Sequence, residues 1–287
     1  MDVDLVLDAR ALLAEGPVWD ADAGLLRWVD ILGCRVHALD VATGRDEWFA
    51  TPSPVGSIAL RNGGGLLLAL EDGFWLERNG RLERLAGVEE DDHTLLMNDG
   101  KCDRNGRFWA GTVAYDEHEG AGTLYRLDPD GTVTPMIRSL TMSNGIAWNG
   151  DDALMYFIDS ETHRIDVFDY DPVRGQIAGR RPFAALADGP GVPDGMTIDA
   201  EDCLWVAVWG ASCVLRYRPN GTIAEVVRLP VSQVTSCAFG GRDLDELFIT
   251  SARVDLSDAA LHDEPLAGGI FRCRPGVSGL RSAYFAG

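Results

Sequence analysis

The stretch Pro193-Asp194-Gly195-Met196 places an acidic residue and a glycine just before a strand-like run, Thr197-Ile198-Asp199. We call this arrangement, an oxygen-bearing side chain followed by glycine at the start of a strand, the polar–glycine step. One such step is ordinary turn chemistry, because Asp and Asn tolerate unusual φ angles. Its recurrence indicates that the chain brings these oxygens to one point. The other steps are Glu15-Gly16-Pro17-Val18, Asp99-Gly100-Lys101-Cys102 and Ser143-Asn144-Gly145-Ile146.

The polar–glycine steps belong to a repeat of short strands. Helical periodicity is nearly absent, and short apolar or alternating runs end at turn residues such as Asp128-Pro129-Asp130-Gly131. A stronger strand follows each step, as Leu204-Trp205-Val206 follows Asp194-Gly195. Six such units predict an all-β fold, a six-bladed β-propeller of four-stranded blades with a central channel. We expect one domain that spans residues 1–287.

The repeat predicts which residues meet in space. The first strand of each propeller blade lines the channel, so equivalent residues form a ring at one mouth. Carboxylates and an amide that face one point repel each other or stay unsatisfied without a cation. Glu15, Asn144 and Asp194 are therefore candidate ligands of one divalent ion, Ca²⁺, Zn²⁺, Mn²⁺, Mg²⁺ or Fe²⁺, in a site that suits hydrolysis of an ester or lactone. In chain order the ring is Glu15, Val55, Asp99, Asn144, Asp194 and Ser236.

The net charge and the N-terminal sequence limit the classes of binding partner and the compartment that we expect. The net charge is −20, from 25 Lys and Arg against 45 Asp and Glu. An acidic surface repels phosphate, which argues against nucleic acids and anionic membranes. Residues 1–6 have no basic segment or long apolar core, so they do not resemble a secretory signal. We expect a cytoplasmic monomer or weak homo-oligomer whose partner is a small molecule.

Other catalytic and binding motifs are absent from the sequence, which contains neither G-x-S-x-G nor H-E-x-x-H. The five histidines are isolated, and we expect each on the surface or in a loop. The six cysteines are scattered and predict buried thiols, with a Cys203–Cys213 disulfide as the alternative. Four tryptophans at strand positions are expected in the core, namely Trp28, Trp109, Trp148 and Trp205.

Several motifs, in order over nearly the whole chain, resemble the SMP-30/gluconolactonase family, which includes regucalcin, bacterial sugar lactonases and luciferin-regenerating enzyme. The resemblance implies a six-bladed propeller with one catalytic divalent metal ion at the channel mouth. The tail, residues 283–287, is similar to the regucalcin branch. The motifs are Ala14-Glu15-Gly16-Pro17, Asn98-Asp99-Gly100-Lys101, Ser143-Asn144-Gly145, Phe168-Asp169-Tyr170-Asp171, Pro193-Asp194-Gly195-Met196, Thr235-Ser236-Cys237-Ala238-Phe239-Gly240-Gly241 and Ala267-Gly268-Gly269-Ile270-Phe271.

The resemblance also implies roles for single residues. Glu15, Asn144 and Asp194 would be the metal ligands, and Asp194 would also be the general base. Asn98 would contact the substrate or a metal-bound water, and Asp116 would be an acidic substrate contact.

One position departs from the family pattern. Leu96 stands where sugar lactonases often have an Arg that donates hydrogen bonds to substrate hydroxyls. The absence of this Arg removes the guanidinium N–H donors and weakens the preference for polyhydroxylated substrates. We include Leu96 and Asp99 with Asn98 and Asp116 as substrate-binding positions.

The leading functional hypothesis is a metal-dependent, gluconolactonase-like lactonase that acts on a sugar lactone. Two alternatives remain open at this point. One is a non-catalytic, regucalcin-like calcium-binding regulatory protein. The other is a promiscuous esterase or organophosphate hydrolase that uses the same metal site.

Overall fold

The short runs of apolar residues form six four-stranded antiparallel sheets in the computed structural model, which describes residues 1–90, 92–186 and 189–287. The innermost strands of successive sheets contact one another, and the sixth contacts the first, so the sheets close into a ring. The six-bladed β-propeller that the repeat predicts is therefore confirmed.

The strands are numbered in chain order and the blades likewise. Blade 1 contains β2 (Ala14–Asp20), β3 (Leu25–Asp30), β4 (Arg35–Asp40) and β5 (Arg45–Ala50). Blade 2 contains β6 (Val55–Leu60), β7 (Leu66–Leu70), β8 (Gly73–Arg78) and β9 (Arg81–Gly87). Blade 3 contains β10 (Leu95–Cys102), β11 (Phe108–Ala114), β12 (Gly122–Leu127) and β13 (Val133–Leu140).

Blade 4 contains β14 (Ser143–Trp148), β15 (Leu154–Asp159), β16 (Arg164–Asp171) and β17 (Gln176–Ala185). Blade 5 contains β18 (Val192–Ile198), β19 (Leu204–Trp209), β20 (Cys213–Tyr217) and β21 (Ile223–Arg228). Blade 6 contains β22 (Val234–Gly240), β23 (Glu246–Ser251), β24 (Ile270–Cys273) and, as its outer strand, β1 (Asp4–Leu7). A 3-10 turn, Ser160–Thr162, follows β15, and the helix α1, Asp258–Asp263, precedes β24.

Blade 6 closes the ring because β1 pairs with β24, with Leu5 opposite Phe271. The repeat in the sequence did not reveal this pairing. A four-residue strand carries too weak a pattern by itself, and its partner lies more than 260 residues away. The two ends of the chain are thus joined by a sheet, which stabilises the ring without a covalent link.

Every inner strand carries a register shift at or beside its polar–glycine step or the equivalent position. In β18, for example, Pro193 pairs with Val208 and Met196 pairs with Val206, so the inner strand contains one extra residue. A bulge of this kind bends the strand and redirects its side chains. The same shift lies between Glu15 and Val18, between Val55 and Ser57, between Met97 and Gly100, between Ser143 and Ile146, and between Val234 and Cys237.

Glycine is required at Gly145 and Gly195 because the neighbouring inner strand passes too close for a side chain, whereas Gly16 is favoured by its φ of +53°. A Cβ atom on Gly145 would lie 2.6 Å from the carbonyl oxygen of Asp194. A Cβ atom on Gly195 would lie 2.1 Å from the hydroxyl oxygen of Ser236. In blades 4 and 5 the polar–glycine step therefore has two functions: its first residue carries an oxygen, and its glycine lets the blades meet at the axis.

The core lies between neighbouring blades, and all four tryptophans expected there are buried. Buried aspartates bind two of them: the indole N–H groups of Trp109 and Trp205 donate to Asp103 and Asp199, at 3.0 and 2.9 Å. The expectation for the histidines is wrong for His37, which is buried, stacks on Trp28 at 3.7 Å and pairs with an aspartate.

All six cysteines are unpaired in the part of the chain that the structure describes, so the alternative of a Cys203–Cys213 disulfide is wrong. Five of them are buried. Among residues 1–90, 92–186 and 189–287, no helix is long and apolar enough to cross a membrane.

The C-terminal segment covers one end of the channel. Residues 280–283 line a cavity of about 100 Å³ together with the C-terminal halves of the inner strands. Beyond them the segment is fixed to blade 2, where the Phe285 N–H donates to the Leu60 carbonyl at 2.8 Å and the Phe285 ring is fully buried. The cavity reaches Gly16 and Asp99 of two polar–glycine steps, and the opposite end of the channel, where the inner strands begin, is the mouth of interest.

Candidate metal centre

Three carboxylates from three different blades converge at this mouth. Glu15 and Asp194 lie near the starts of β2 and β18, Asp99 lies in β10, and each side chain is buried. Burial, followed by the charges of Asp194 and Asp99, raises the pKa of Glu15 well above its usual range. Burial and the charge of Asp99 raise the pKa of Asp194 well above its usual range, and burial raises the pKa of Asp99. The bulges therefore bring together acids that repel one another when ionised.

The glycine of each step also stabilises the carboxylate that precedes it. The Gly16 N–H donates to Glu15 Oε2 at 2.7 Å, and the Gly100 N–H donates to Asp99 Oδ1 at 2.7 Å. These bonds favour the ionised form and fix the orientation of each carboxylate. They do not outweigh burial, since the pKa of both acids is still raised.

Asn144 supplies an amide oxygen that lacks a hydrogen-bond partner. Its Nδ2 donates to the Ser160 hydroxyl at 3.2 Å, which fixes the amide orientation. Its Oδ1 is buried and has no partner among the described residues, a state that costs free energy unless something binds it. An amide oxygen of this kind is a normal ligand of a hard divalent ion. The orphaned Oδ1 and the nearby carboxylates thus fit the metal ion that the sequence predicts.

In the described ranges, no three His, Cys, Asp or Glu side chains form a group that could hold a metal ion by themselves. A site at this mouth must therefore include other oxygens, and the Asn144 amide is the buried candidate. This composition, carboxylate and amide oxygen without sulfur or imidazole, favours hard cations.

Side chains from neighbouring elements fix the backbone just before each predicted ligand. Thr235 donates to the carbonyl of Ala14 at 2.6 Å, next to Glu15. Asn98 donates to the carbonyl of Ser143 at 2.9 Å, next to Asn144. Ser160 donates to the carbonyl of Pro193 at 2.8 Å, next to Asp194.

These three bonds mean that each predicted ligand is positioned by a neighbouring blade. Ser160 was not predicted from the sequence, and Thr235 was singled out only as part of a motif. Neither residue adjoins a polar–glycine step in the sequence, so the only signal is a hydroxyl residue near one end of a strand, which can donate to the backbone of the next blade.

The other positions predicted to bind substrate are not all at the buried centre. Asn98 is partly buried and lies beside it. Leu96 is buried in an apolar cluster that includes Val113. The side chain of Asp116 is 76% exposed and bonds His118 at 2.6 Å, and this contact lowers its pKa. The structure therefore groups Asn98 and Asp99 with the three predicted ligands but places Asp116 on an exposed loop and Leu96 in the core.

The raised pKa values predict how the stability of metal-free protein depends on pH. A folded-state pKa above the unfolded value means that the folded protein binds more protons in that window. We expect the free energy of unfolding of chelator-treated protein to fall as pH rises above about 4, the ordinary range of free carboxylic acids, until it passes the raised pKa values. Added divalent metal should offset this loss of stability because it takes the place of the protons on the buried carboxylates.

The measurement is the melting temperature from pH 4 to 8, with a chelator and with excess metal. Glu15→Gln is the matched control because Gln does not titrate, so its chelator curve should be flatter than that of wild type. Parallel curves for the two proteins would contradict the prediction.

A family model described as the SMP-30/gluconolactonase/LRE-like region matches residues 13–253. The Bacillus subtilis protein YvrE, which is assigned by name as a sugar lactone lactonase, is 37% identical over 290 residues, covering 100% of this chain and 99% of its own length. Human regucalcin is 37% identical over 298 residues, covering 99% of this chain and 98% of its own length.

Among solved structures, the regucalcin of Agrobacterium tumefaciens, named as a calcium-binding protein, superposes with a TM-score of 0.94 at 30% identity. The superposition covers 98% of this chain and 96% of that one. The similarity therefore extends over the whole propeller, including all the strands that carry the polar–glycine steps.

Proposed function

Because the chain belongs to the SMP-30/gluconolactonase/LRE-like family, we propose that it is a metal-dependent lactonase that hydrolyses a sugar lactone to the hydroxy acid. The observation that carries the metal dependence is Asn144 Oδ1, which is buried without a partner among the described residues, beside acids of raised pKa. The proposed ligands are Glu15, Asn144 and Asp194. The proposed metal is one divalent ion.

The ion would supply Lewis-acid chemistry, polarising the lactone carbonyl and stabilising the oxyanion. Asp194 accepts a proton from the attacking water, whose oxygen bonds to the lactone carbonyl carbon. The ring C–O bond then breaks, and the leaving oxygen takes the proton back from Asp194 to become the hydroxyl of the product. The bond from Ser160 to the Pro193 carbonyl and the N–H of Gly195 hold Asp194 in place for this transfer.

Four further residues are proposed to shape the substrate site. Asn98 uses its N–H group on the Ser143 carbonyl, which leaves its amide oxygen to accept a hydrogen bond from a substrate hydroxyl or a water. Asp99 adds charge at the same mouth, and exposed Asp116 can reach the substrate only if its loop closes over the mouth. Leu96 lies in the apolar core two residues before Asn98, so this position offers no guanidinium donor to substrate hydroxyls, which favours lactones with fewer hydroxyls.

The test is acid release from a panel of γ- and δ-lactones, sugar lactones included, by metal-stripped protein with Ca²⁺, Zn²⁺, Mn²⁺ or Mg²⁺ added back. We expect turnover of at least one aldonolactone only when metal is present. No turnover of any lactone with any metal would overturn the lactonase proposal. Higher turnover of aryl esters or phosphotriesters than of every lactone would favour the esterase alternative.

A calcium-binding protein without catalysis is the second candidate, favoured by the name of the Agrobacterium relative. Tight Ca²⁺ binding by calorimetry together with an inactive lactone panel would support it. Both candidates use the same three ligands, so only turnover separates them.

A further inference from the structure

Lys101 is a cation inside the channel, two residues after Asp99 on the inner strand of blade 3. Its Nζ donates to the carbonyl of Met196, on the inner strand of blade 5, at 2.6 Å. Blades 3 and 5 are not neighbours, so the side chain crosses the channel past blade 4. It lines the cavity there together with Asp99.

The charge of Lys101 acts on the acids of the mouth. Its ammonium group lowers the pKa of Asp99 and of Glu15. Burial lowers the pKa of Lys101, and the charges of Asp99 and Glu15 counteract part of this shift. The Lys101 side chain therefore influences the metal centre through space, because charges interact strongly where water is excluded.

The charges of the centre do not balance without Lys101. Glu15, Asp99 and Asp194 would carry three negative charges once ionised, and the amide of Asn144 carries none. One divalent ion neutralises only two of the three. A buried charge without a counter-charge costs free energy, so one more positive charge is needed in the channel to balance the third carboxylate.

We propose that Lys101 is the fixed internal cation of the channel, a positioning residue that balances Asp99 and thereby sets the centre to hold a single divalent ion. The bond to the Met196 carbonyl keeps the ammonium group at a constant place in the channel and fixes the strand that carries Asp194. This inference rests on metal binding at the proposed site, but not on lactone hydrolysis.

The test measures dissociation constants for Ca²⁺ and Tb³⁺ by calorimetry and terbium luminescence, in wild type and in Lys101→Met. Removal of one positive charge should favour the trivalent ion, so we expect the preference for Tb³⁺ over Ca²⁺ to rise at least about tenfold. The double variant Lys101→Met, Asp99→Asn loses both charges and should return to the wild-type preference. A residue with only a structural role would not give this rescue.

An unchanged preference in Lys101→Met, or a double variant that resembles the single one, would overturn the inference. If Lys101→Met does not fold, Asp99→Asn alone tests the inference. Without a bound ion its centre keeps Glu15, Asp194 and Lys101 and so carries one net negative charge, against two in wild type. Its preference for Tb³⁺ over Ca²⁺ should therefore fall about tenfold below that of wild type. An unchanged preference there also overturns the inference. Absence of metal binding by wild type would overturn both proposals, whereas binding without lactone turnover would overturn only the lactonase.

Discussion

Replacing Glu15 by Gln is expected to lower kcat/KM for lactone hydrolysis at least about 100-fold at limiting metal. The substitution keeps the shape of the side chain and its acceptor for the Gly16 N–H but removes one ligand charge. Divalent-ion affinity should therefore fall in parallel, and excess metal should restore part of the rate. Calorimetric metal titration and steady-state kinetics on the same preparations measure the two quantities.

Glu161→Gln is the matched control, since Glu161 is exposed and lies on the turn that also contains Ser160. It removes the same charge without touching the buried centre, so its metal affinity and rate should equal those of wild type. Unchanged metal affinity in Glu15→Gln would refute the ligand assignment.

Replacing Asp199 by Ala is expected to destabilise the fold by about 3 to 5 kcal/mol. The carboxylate is fully buried, and its Oδ2 accepts from Trp205 Nε1 and from Arg216 Nε, both at 2.9 Å. Its Oδ1 accepts from the N–H groups of Glu201 and Cys203 at 2.9 and 3.0 Å. Truncation leaves these donors unpaired and leaves Arg216 without its buried partner.

Urea denaturation and thermal melts measure this loss, with an expected fall in melting temperature of roughly 10 °C. Asp130→Ala is the control, because Asp130 is an exposed turn residue that bonds only the nearby Thr132 N–H among the described residues. Equal stability of the two variants would contradict the account of Asp199. The same melts test the prediction of one domain over residues 1–287, which requires a single transition for wild type.

The sequence pattern was sufficient for the fold and for the residues that converge. Short strands with turn residues between them predict an all-β chain, and the ordered recurrence of the polar–glycine step predicts radial repetition. Glu15, Asn144 and Asp194 could be grouped from the repeat alone, because equivalent positions of a closed repeat must face one axis.

Other features could not be predicted because they do not follow the repeat. The closing strand β1 pairs with a partner at the far end of the chain, and Lys101 reaches a backbone carbonyl two blades away. His37 is an isolated histidine and was expected on the surface or in a loop, yet it is buried and stacks on Trp28. Each of these depends on a contact between particular side chains, which periodicity does not encode.

The sequence by itself determined the propeller, the ring of oxygens at one mouth and the family. Only the tertiary structure decided how those oxygens are oriented and what surrounds them. A bulge turns each one inward, and a hydroxyl or amide group binds the backbone carbonyl before it. The ammonium group of Lys101 lies in the channel. The physical reason is that a repeat specifies equivalent backbone positions, whereas hydrogen bonds and charge balance across the axis depend on the different side chains that neighbouring blades present to one another.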